Sequence, residues 1–286
     1  MPWTLSTSLD DFRARAGDFL AVNPAENTVL LTITDRLAAH GPYYYGDGAP
    51  VFGWWRREPD GPVAGAFLQT PPFTPRLGLM PEAAAAELAT ELAAAWAGFT
   101  ALAGVAGGAA AVRAFGAAWA GATGATGTVK VNERLYRLGE LTEPPRPPAG
   151  KPRLAGAADR ELLIRWFEEF AAEVDIHIPH IGRVVDDRTA GGQLHLWEDD
   201  GRPVAVAGAS AVIAGMSRIG PVYTPRDARG RGYASGVTAA ASAAALAQGA
   251  GEVLLYTDLA NPTSNSIYRQ IGYRPVEDCL ELAFGD

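Results

Sequence analysis

Five prolines fall within twelve residues between Thr142 and Arg153, TEPPRPPAGKPR. No helix and no central strand runs through such a segment, because each proline lacks a backbone N–H and holds φ near −65°. The chain is therefore interrupted near its middle. At 286 residues it has room for a folded body on each side. The expected organisation is residues 1–143, a proline-rich linker at 144–153, and residues 154–286.

The two sides echo one another. WWRREPDGPVAGAFL runs from Trp54 to Leu68, and LWEDDGRPVAVAGA runs from Leu196 to Ala209. Each reads as a strand opened by Trp55 or Trp197, an acidic turn with glycine, then Pro-Val-Ala and a second strand, which is a β-hairpin pattern. Two copies of one fold, about half a chain apart, are expected. Before the first hairpin, Ser8 to Leu20 reads as a helix, and Asn23-Pro24-Ala25-Glu26 reads as the cap and first turn of another that ends near Ala39. A helix from Pro81, an alanine-rich helix at Ala109–Ala120 and the strand TVKVNERLYRL follow. In the second half Leu162, Leu163, Trp166, Phe167, Phe170 and Val174 make one helical face. A short loop or helix with His177 and His180 comes next. The hairpin follows, then a strand near Ser217–Thr224, an alanine-rich helix to Gln248, the strand EVLLYTDL, the helix NPTSNSIYRQIG and the strand CLELAF. This alternation predicts an α/β (mixed α+β) layer fold.

Composition excludes several classes. With 48% hydrophobic and 20% charged residues the chain is globular, and its net charge of −8 argues against nucleic-acid binding. The single cysteine, Cys279, rules out an intrachain disulfide and suits a reducing compartment. The N-terminus MPWTLSTSLDDF is not read as a secretion signal. Leu92–Val112 carries no charge, but it is mostly alanine with four glycines and continues the stripe Leu88, Leu92, Trp96, so it is read as helix rather than membrane span. A cytoplasmic protein that binds no membrane is expected, with a homodimer left open.

The chemistry concentrates in DARGRGYAS, Asp227 to Ser235. A strand ends before it and a helix begins near Tyr233. Glycines at a helix N-terminus let free N–H groups meet an anion, and the helix dipole favours negative charge there. No Gly-Lys-Ser/Thr follows, and the three-glycine dinucleotide spacing is absent, so a pyrophosphate held by one short turn is the expected ligand.

Arg229-Gly230-Arg231-Gly232-Tyr233-Ala234 resembles the signature of the GNAT acetyltransferase superfamily: Arg or Gln, two residues, Gly, one residue, Gly or Ala. One strand later, NPTSNSIYRQIGY resembles that family's second signature, with Asn261, Tyr268, Gly272 and Tyr273 at the matching positions. The resemblance covers about Leu154 to Asp286. The first half lacks both signatures and matches only through its hairpin and element order. The resemblance implies two tandem GNAT-like domains, each a mixed sheet flanked by helices. The first would be degenerate and shape the acceptor pocket or the interface.

It further implies acetyl-CoA as acyl donor and an amine as acceptor, joined by direct transfer in a ternary complex. Arg229, Gly230, Arg231, Gly232, Tyr233 and Ala234 would cradle the pyrophosphate. The edge Val222-Tyr223-Thr224 would pair with the pantetheine arm and give a backbone N–H to the thioester oxygen. Asn261, which also reads as a helix cap, would touch the pantetheine together with Asn265. Tyr268 would protonate the leaving thiolate, since a phenol stays protonated at neutral pH; as a bare residue it reads equally as a core aromatic. The general base is not legible: Asp258, Glu173, His177 and His180 stand open beside a water chain. His40 and His195 are isolated, and no metal-ligand spacing occurs. Pro42–Asp47, PYYYGD, reads as packing or as a groove lining. The alternative to an enzyme is a protein that binds coenzyme A for regulation without turnover.

Overall fold

The computed structural model describes residues 2–95, 102–176, 178 and 180–285. The chain forms two compact units: Met1–Leu135 with Val276–Asp286, and Tyr136–Pro275. The division does not fall at the proline-rich stretch. That stretch lies inside the second unit, and the last residues of the chain belong to the first.

In unit 1, β1 (Trp3–Ser6) is followed by α1 (Leu9–Val22), α2 (Thr28–His40), β2 (Val51–Arg56), β3 (Val63–Gln69), β4 (Arg76–Leu77), α3 (Glu82–Ala95), β5 (Gly104–Gly108), α4 (Ala109–Thr123) and β6 (Thr126–Leu138). Unit 2 repeats the order with β7 (Lys151–Leu154), α5 (Arg160–Glu173), α6 (Ile181–Ala190), β8 (Leu194–Asp199), β9 (Arg202–Ala209), β10 (Met216–Tyr223), α7 (Tyr233–Ala247), β11 (Glu252–Asp258), α8 (Pro262–Gln270) and β12 (Tyr273–Gly285). Strand directions repeat as well. β1 to β4 pair antiparallel in sequence and β4–β5 is parallel. β7 to β10 pair antiparallel and β10–β11 is parallel. The echoing hairpins share a finer detail: the register slips directly after Trp55 in one and directly after Trp197 in the other. Each hairpin thus carries a bulge at the same place after its tryptophan.

The strand that closes each repeat sits with the opposite half of the sequence. Val276–Gly285 of β12 belongs to unit 1, where it runs antiparallel to β5 from Cys279↔Gly108 to Ala283↔Gly104. Tyr136–Leu138 of β6 belongs to unit 2 and enters its core.

Unit 1 packs α3 and α4 on its sheet through Leu88, Leu92, Val112, Phe115 and Trp119, with Trp3, Phe67 and Leu282 from the strands. In unit 2, Leu163, Trp166 and Phe167 of α5 cover one sheet face with Leu196, Val206 and Tyr223. On the other face, α7 and α8 close over Ala205, Ala207, Ile219, Val253 and Leu255. Small residues on β9 and α7 let the helix lie close to the strand. No described helix is long and apolar enough to cross a membrane. Within Leu92–Val112 the described residues hold the end of α3, the strand β5 and the start of α4; residues 96–101, with Trp96, lie outside the described residues.

Local expectations changed where tertiary partners took over. Ser8 caps α1 by accepting from the Asp11 N–H at 3.2 Å. Asn23, expected to open α2, closes α1 instead, donating to the Phe19 carbonyl at 3.4 Å. α2 opens at Thr28, and the Asn27 side chain accepts from Leu79 N–H at 2.9 Å rather than capping its own helix. The tail of the proline-rich stretch became β7, in which Pro152 faces Trp197. β7 lies at the end of the strand order, and an edge strand tolerates a residue with no N–H.

Candidate active site

The site is built where β10 and β11 part. Their parallel ladder runs from Met216↔Glu252 to Ile219↔Leu255 and stops there, although β10 continues to Tyr223 and β11 to Asp258. On its other side β10 keeps its bond to β9, with a register slip between Ile219 and Val222 around Pro221. A proline in that slip removes an N–H from the ladder and supports the bulge. Val222 and Tyr223 thus lie on a stretch of strand whose β11 side is no longer laddered, and Thr224 follows directly. The Thr224 hydroxyl oxygen is buried there with no hydrogen-bond partner among the described residues.

A short 3₁₀ turn at Arg226–Ala228 leads from β10 to the glycine loop. Gly230 and Gly232 have φ of 79° and 83°, the left-handed region that favours glycine. Gly232 is the N-cap of α7. A Cβ at Gly230 would meet open space, so the loop leaves room above the free N–H groups of the first turn. These features fit a pyrophosphate. The Tyr233 ring is buried beneath this turn and its hydroxyl donates to Asp199.

Two of the expected cofactor contacts, Arg229 and Asn265, have side chains that bond within the protein. Arg229 is committed elsewhere: it reaches both Glu173 oxygens at 2.8 and 2.7 Å and the Thr224 carbonyl at 2.9 Å. Asn265 is also committed. Its amide donates to the Asp258 and Asn261 carbonyls at 2.8 and 2.7 Å, and its Oδ1 accepts from the Tyr136 hydroxyl at 2.9 Å. It therefore braces the β11–α8 corner. Asn261 caps α8 as its sequence suggests, accepting from Ser264 N–H at 3.0 Å with Pro262 following it. Arg231 stays exposed on the loop.

Tyr268 lies on α8, 8% exposed and edge-on to Tyr273 with ring centres 6.1 Å apart. Burial pushes its phenol up to about 12. It is both a core aromatic and a group that keeps its proton, so the two readings of this residue are compatible.

Among the candidate bases, Glu173 forms ion pairs with Arg229 and Arg226 at 2.7 and 3.3 Å. Burial alone would push its carboxyl up, but the two guanidiniums outweigh that and leave it below its usual range. Asp258 accepts from Ala260 N–H at 2.7 Å in the turn after β11. His180 sits at the N-cap of α6 with φ of 51°, and His177 lies outside the described residues. His195 is buried on β8, and burial lowers its pKa. Tyr44 of the aromatic run packs on His40 and accepts a hydrogen bond from Arg36.

One participant was missed. Glu169, one turn before Glu173, accepts from the Tyr223 hydroxyl at 2.8 Å. Burial first, then that carboxylate, pushes the Tyr223 phenol up to about 12. The signal was present as two carboxylates spaced by four on one helix.

The corresponding place in unit 1 is different. β4 is followed by Gly78, which has ordinary φ, and α3 starts with Glu82 directly after Pro81. A carboxylate and a missing N–H at a helix N-terminus both disfavour an anion.

The acetyltransferase (GNAT) family model matches residues 159–273. No curated protein matches the sequence. A GNAT-family acetyltransferase from Colwellia psychrerythraea superposes with a TM-score of 0.62 at 14% identity, covering 100% of both chains. A GCN5-related N-acetyltransferase from Sphaerobacter thermophilus gives 0.59 at 16% identity, covering 98% of this chain and 95% of that one. One from Kribbella flavida gives 0.57 at 20% identity over 78% of this chain and 88% of that one. These likenesses extend the shared fold beyond the matched segment to the whole chain. Residues 159–273 form a GNAT acetyltransferase domain, and that family consists of acyl-CoA-dependent enzymes that take the acetyl group from acetyl-CoA.

Proposed function

We propose that the protein transfers an acetyl group from acetyl-CoA directly to an amine while both are bound. The observation that carries this reading is the end of the β10–β11 ladder at Ile219↔Leu255, followed at once by the left-handed glycines at the start of α7. Backbone N–H groups of Gly230, Arg231, Gly232, Tyr233 and Ala234 take the pyrophosphate. The edge Val222-Tyr223-Thr224 pairs with the amides of the pantetheine arm, as an added strand would, and one of its N–H groups holds the thioester oxygen. Asn261 marks the far side of the arm. The neutral amine attacks the thioester carbonyl carbon and the carbon–sulfur bond breaks. Tyr268 gives its proton to the departing sulfur and recovers one from solvent, to which the amine has lost its own.

We read unit 1 as a copy of the same fold that has lost its cofactor loop. The repeated element order, the matching hairpin slips and the Pro81-Glu82 start of α3 support this. Cys279 is the single cysteine of the sequence and so forms no disulfide within the chain, which suits a cytoplasmic setting.

The test is incubation with acetyl-CoA and a panel of amines while free thiol is followed. Thiol release that requires the amine is expected. Tight coenzyme A binding with no release on any amine would favour the regulatory alternative, and no coenzyme A binding would end both readings.

A further inference from the structure

The proline-rich stretch is not a free linker, and the residues matched by the family model begin after it. It is fastened along unit 2 at several points. The Thr142 hydroxyl donates to the Gln270 carbonyl at 2.8 Å, and Trp197 Nε1 donates to the Ala149 carbonyl at 2.7 Å. Between these anchors it crosses the first turn of α7. A Cβ built on Gly232 would lie 3.5 Å from the Arg146 carbonyl oxygen and 3.6 Å from Pro148. One built on Gly236 would lie 2.8 Å from Pro148 and 3.0 Å from the Trp197 ring. Gly236 is thus a place where only a bare backbone admits the strap. Prolines keep such a segment extended and stiff, so its path is fixed rather than sampled.

This path brings the Arg146 backbone to the rim of the glycine loop. The other arginines there are occupied or shared: Arg229 and Arg226 pair with Glu173, and Arg231 interacts with the Tyr233 hydroxyl. Arg146 is exposed and, among the described residues, makes no ion pair or side-chain hydrogen bond. We propose that Arg146 is a further cofactor-binding residue, supplying from the strap the guanidinium for the phosphates of coenzyme A that Arg229 does not supply. A guanidinium suits this task because its planar fork meets two phosphate oxygens at once. The inference rests on the acetyl-CoA reading above.

The experiment measures coenzyme A binding by calorimetry in the full-length chain, for the wild type, Arg146→Ala and Arg146→Glu. Melting temperatures without ligand should be unchanged, since the side chain is exposed. Arg146→Ala should weaken coenzyme A about tenfold or more, the scale of a charge-assisted hydrogen bond. Arg146→Glu should weaken it further, and the penalty should shrink as salt is raised, because the contact is one of exposed charges. Repeating the titration with 3′-dephospho-coenzyme A assigns the phosphate. A penalty that persists places the contact on the pyrophosphate, and one that disappears places it on the 3′-phosphate; either result supports the proposal. Unchanged affinity in both variants, or a loss that salt does not alter, would overturn it while leaving the acetyltransferase reading intact. A wild type that binds no coenzyme A would remove both.

Discussion

If Tyr268 protonates the leaving thiolate, Tyr268→Phe separates its chemical role from its packing role. The ring is 8% exposed and edge-on to Tyr273 at 6.1 Å, and Phe preserves both the volume and that contact. What is lost is one hydroxyl, whose hydrogen-bond partner is Ser264. A lost hydrogen bond of this kind costs about 1 kcal/mol, which in a chain of this size lowers the melting temperature by roughly 2–4 °C. Turnover should fall much further, by about 10² to 10⁴, the range for a general acid. In barrier height that is roughly 3–5 kcal/mol, several times the packing cost. Thiol release at saturating amine gives kcat, and its dependence on amine gives KM. The loss should appear in kcat, because the proton is needed only as the carbon–sulfur bond breaks. Since burial holds the phenol at about 12, the wild-type rate should show no alkaline decline from this group below that pH. Full turnover in Tyr268→Phe would falsify the acid role and leave water as the proton source.

Four further outcomes follow from the same geometry. Coenzyme A should raise the melting temperature of the wild type, and Gly230→Glu with Gly232→Glu should abolish the rise, because two carboxylates then occupy the loop; persistence of the rise would refute the loop assignment. Gly232→Ala alone should cost roughly 1–2 kcal/mol in urea unfolding, the strain of a side chain at φ 83°, and a neutral effect would contradict that N-cap geometry. Tyr223 and Tyr268 are both raised to about 12, whereas an unfolded phenol titrates near 10. Stability should therefore be level with respect to these groups below pH 10 and fall as pH rises from there through about 12, so an alkaline urea series without decline would be evidence against their burial. A chain starting at Lys151 should fail to bind coenzyme A, whereas one spanning 136–275 should bind it, because the shorter piece lacks Tyr136 and Leu138 of the second core.

The division between what the sequence revealed and what it hid follows the range of the interactions. The glycine loop, the capped helix at Asn261 and both hairpins were legible because each is a local agreement among neighbours: left-handed glycines before a helix, Asn before Pro, alternating residues around an acidic turn. The roles of Arg229 and Asn265 were not legible. Each has the right residue type in the right motif, yet Arg229 meets Glu173, 56 residues away, and Asn265 meets Tyr136, 129 residues away. Asn23 and Asn27 show the same limit at short range. Either could cap α2, and what decided the matter was the Leu79 N–H, 52 residues from Asn27.

The last element of each repeat carries this furthest. β6 and β12 read in sequence as the closing strands of the halves in which they stand. Pattern fixes which face of a strand is apolar, but it does not name the neighbour to which its backbone bonds. Tyr136 illustrates the consequence. It lies at the end of the first half of the sequence, yet it is 1% exposed inside unit 2, with its hydroxyl on Asn265 and through that residue on the β11–α8 corner. The corner carries Asn261 on one side and Tyr268 two turns further along α8. A residue before the proline-rich stretch is therefore tied to the corner that carries Asn261 and Tyr268. Unit 2 is thus completed by the end of β6, a strand that stands before the proline-rich stretch.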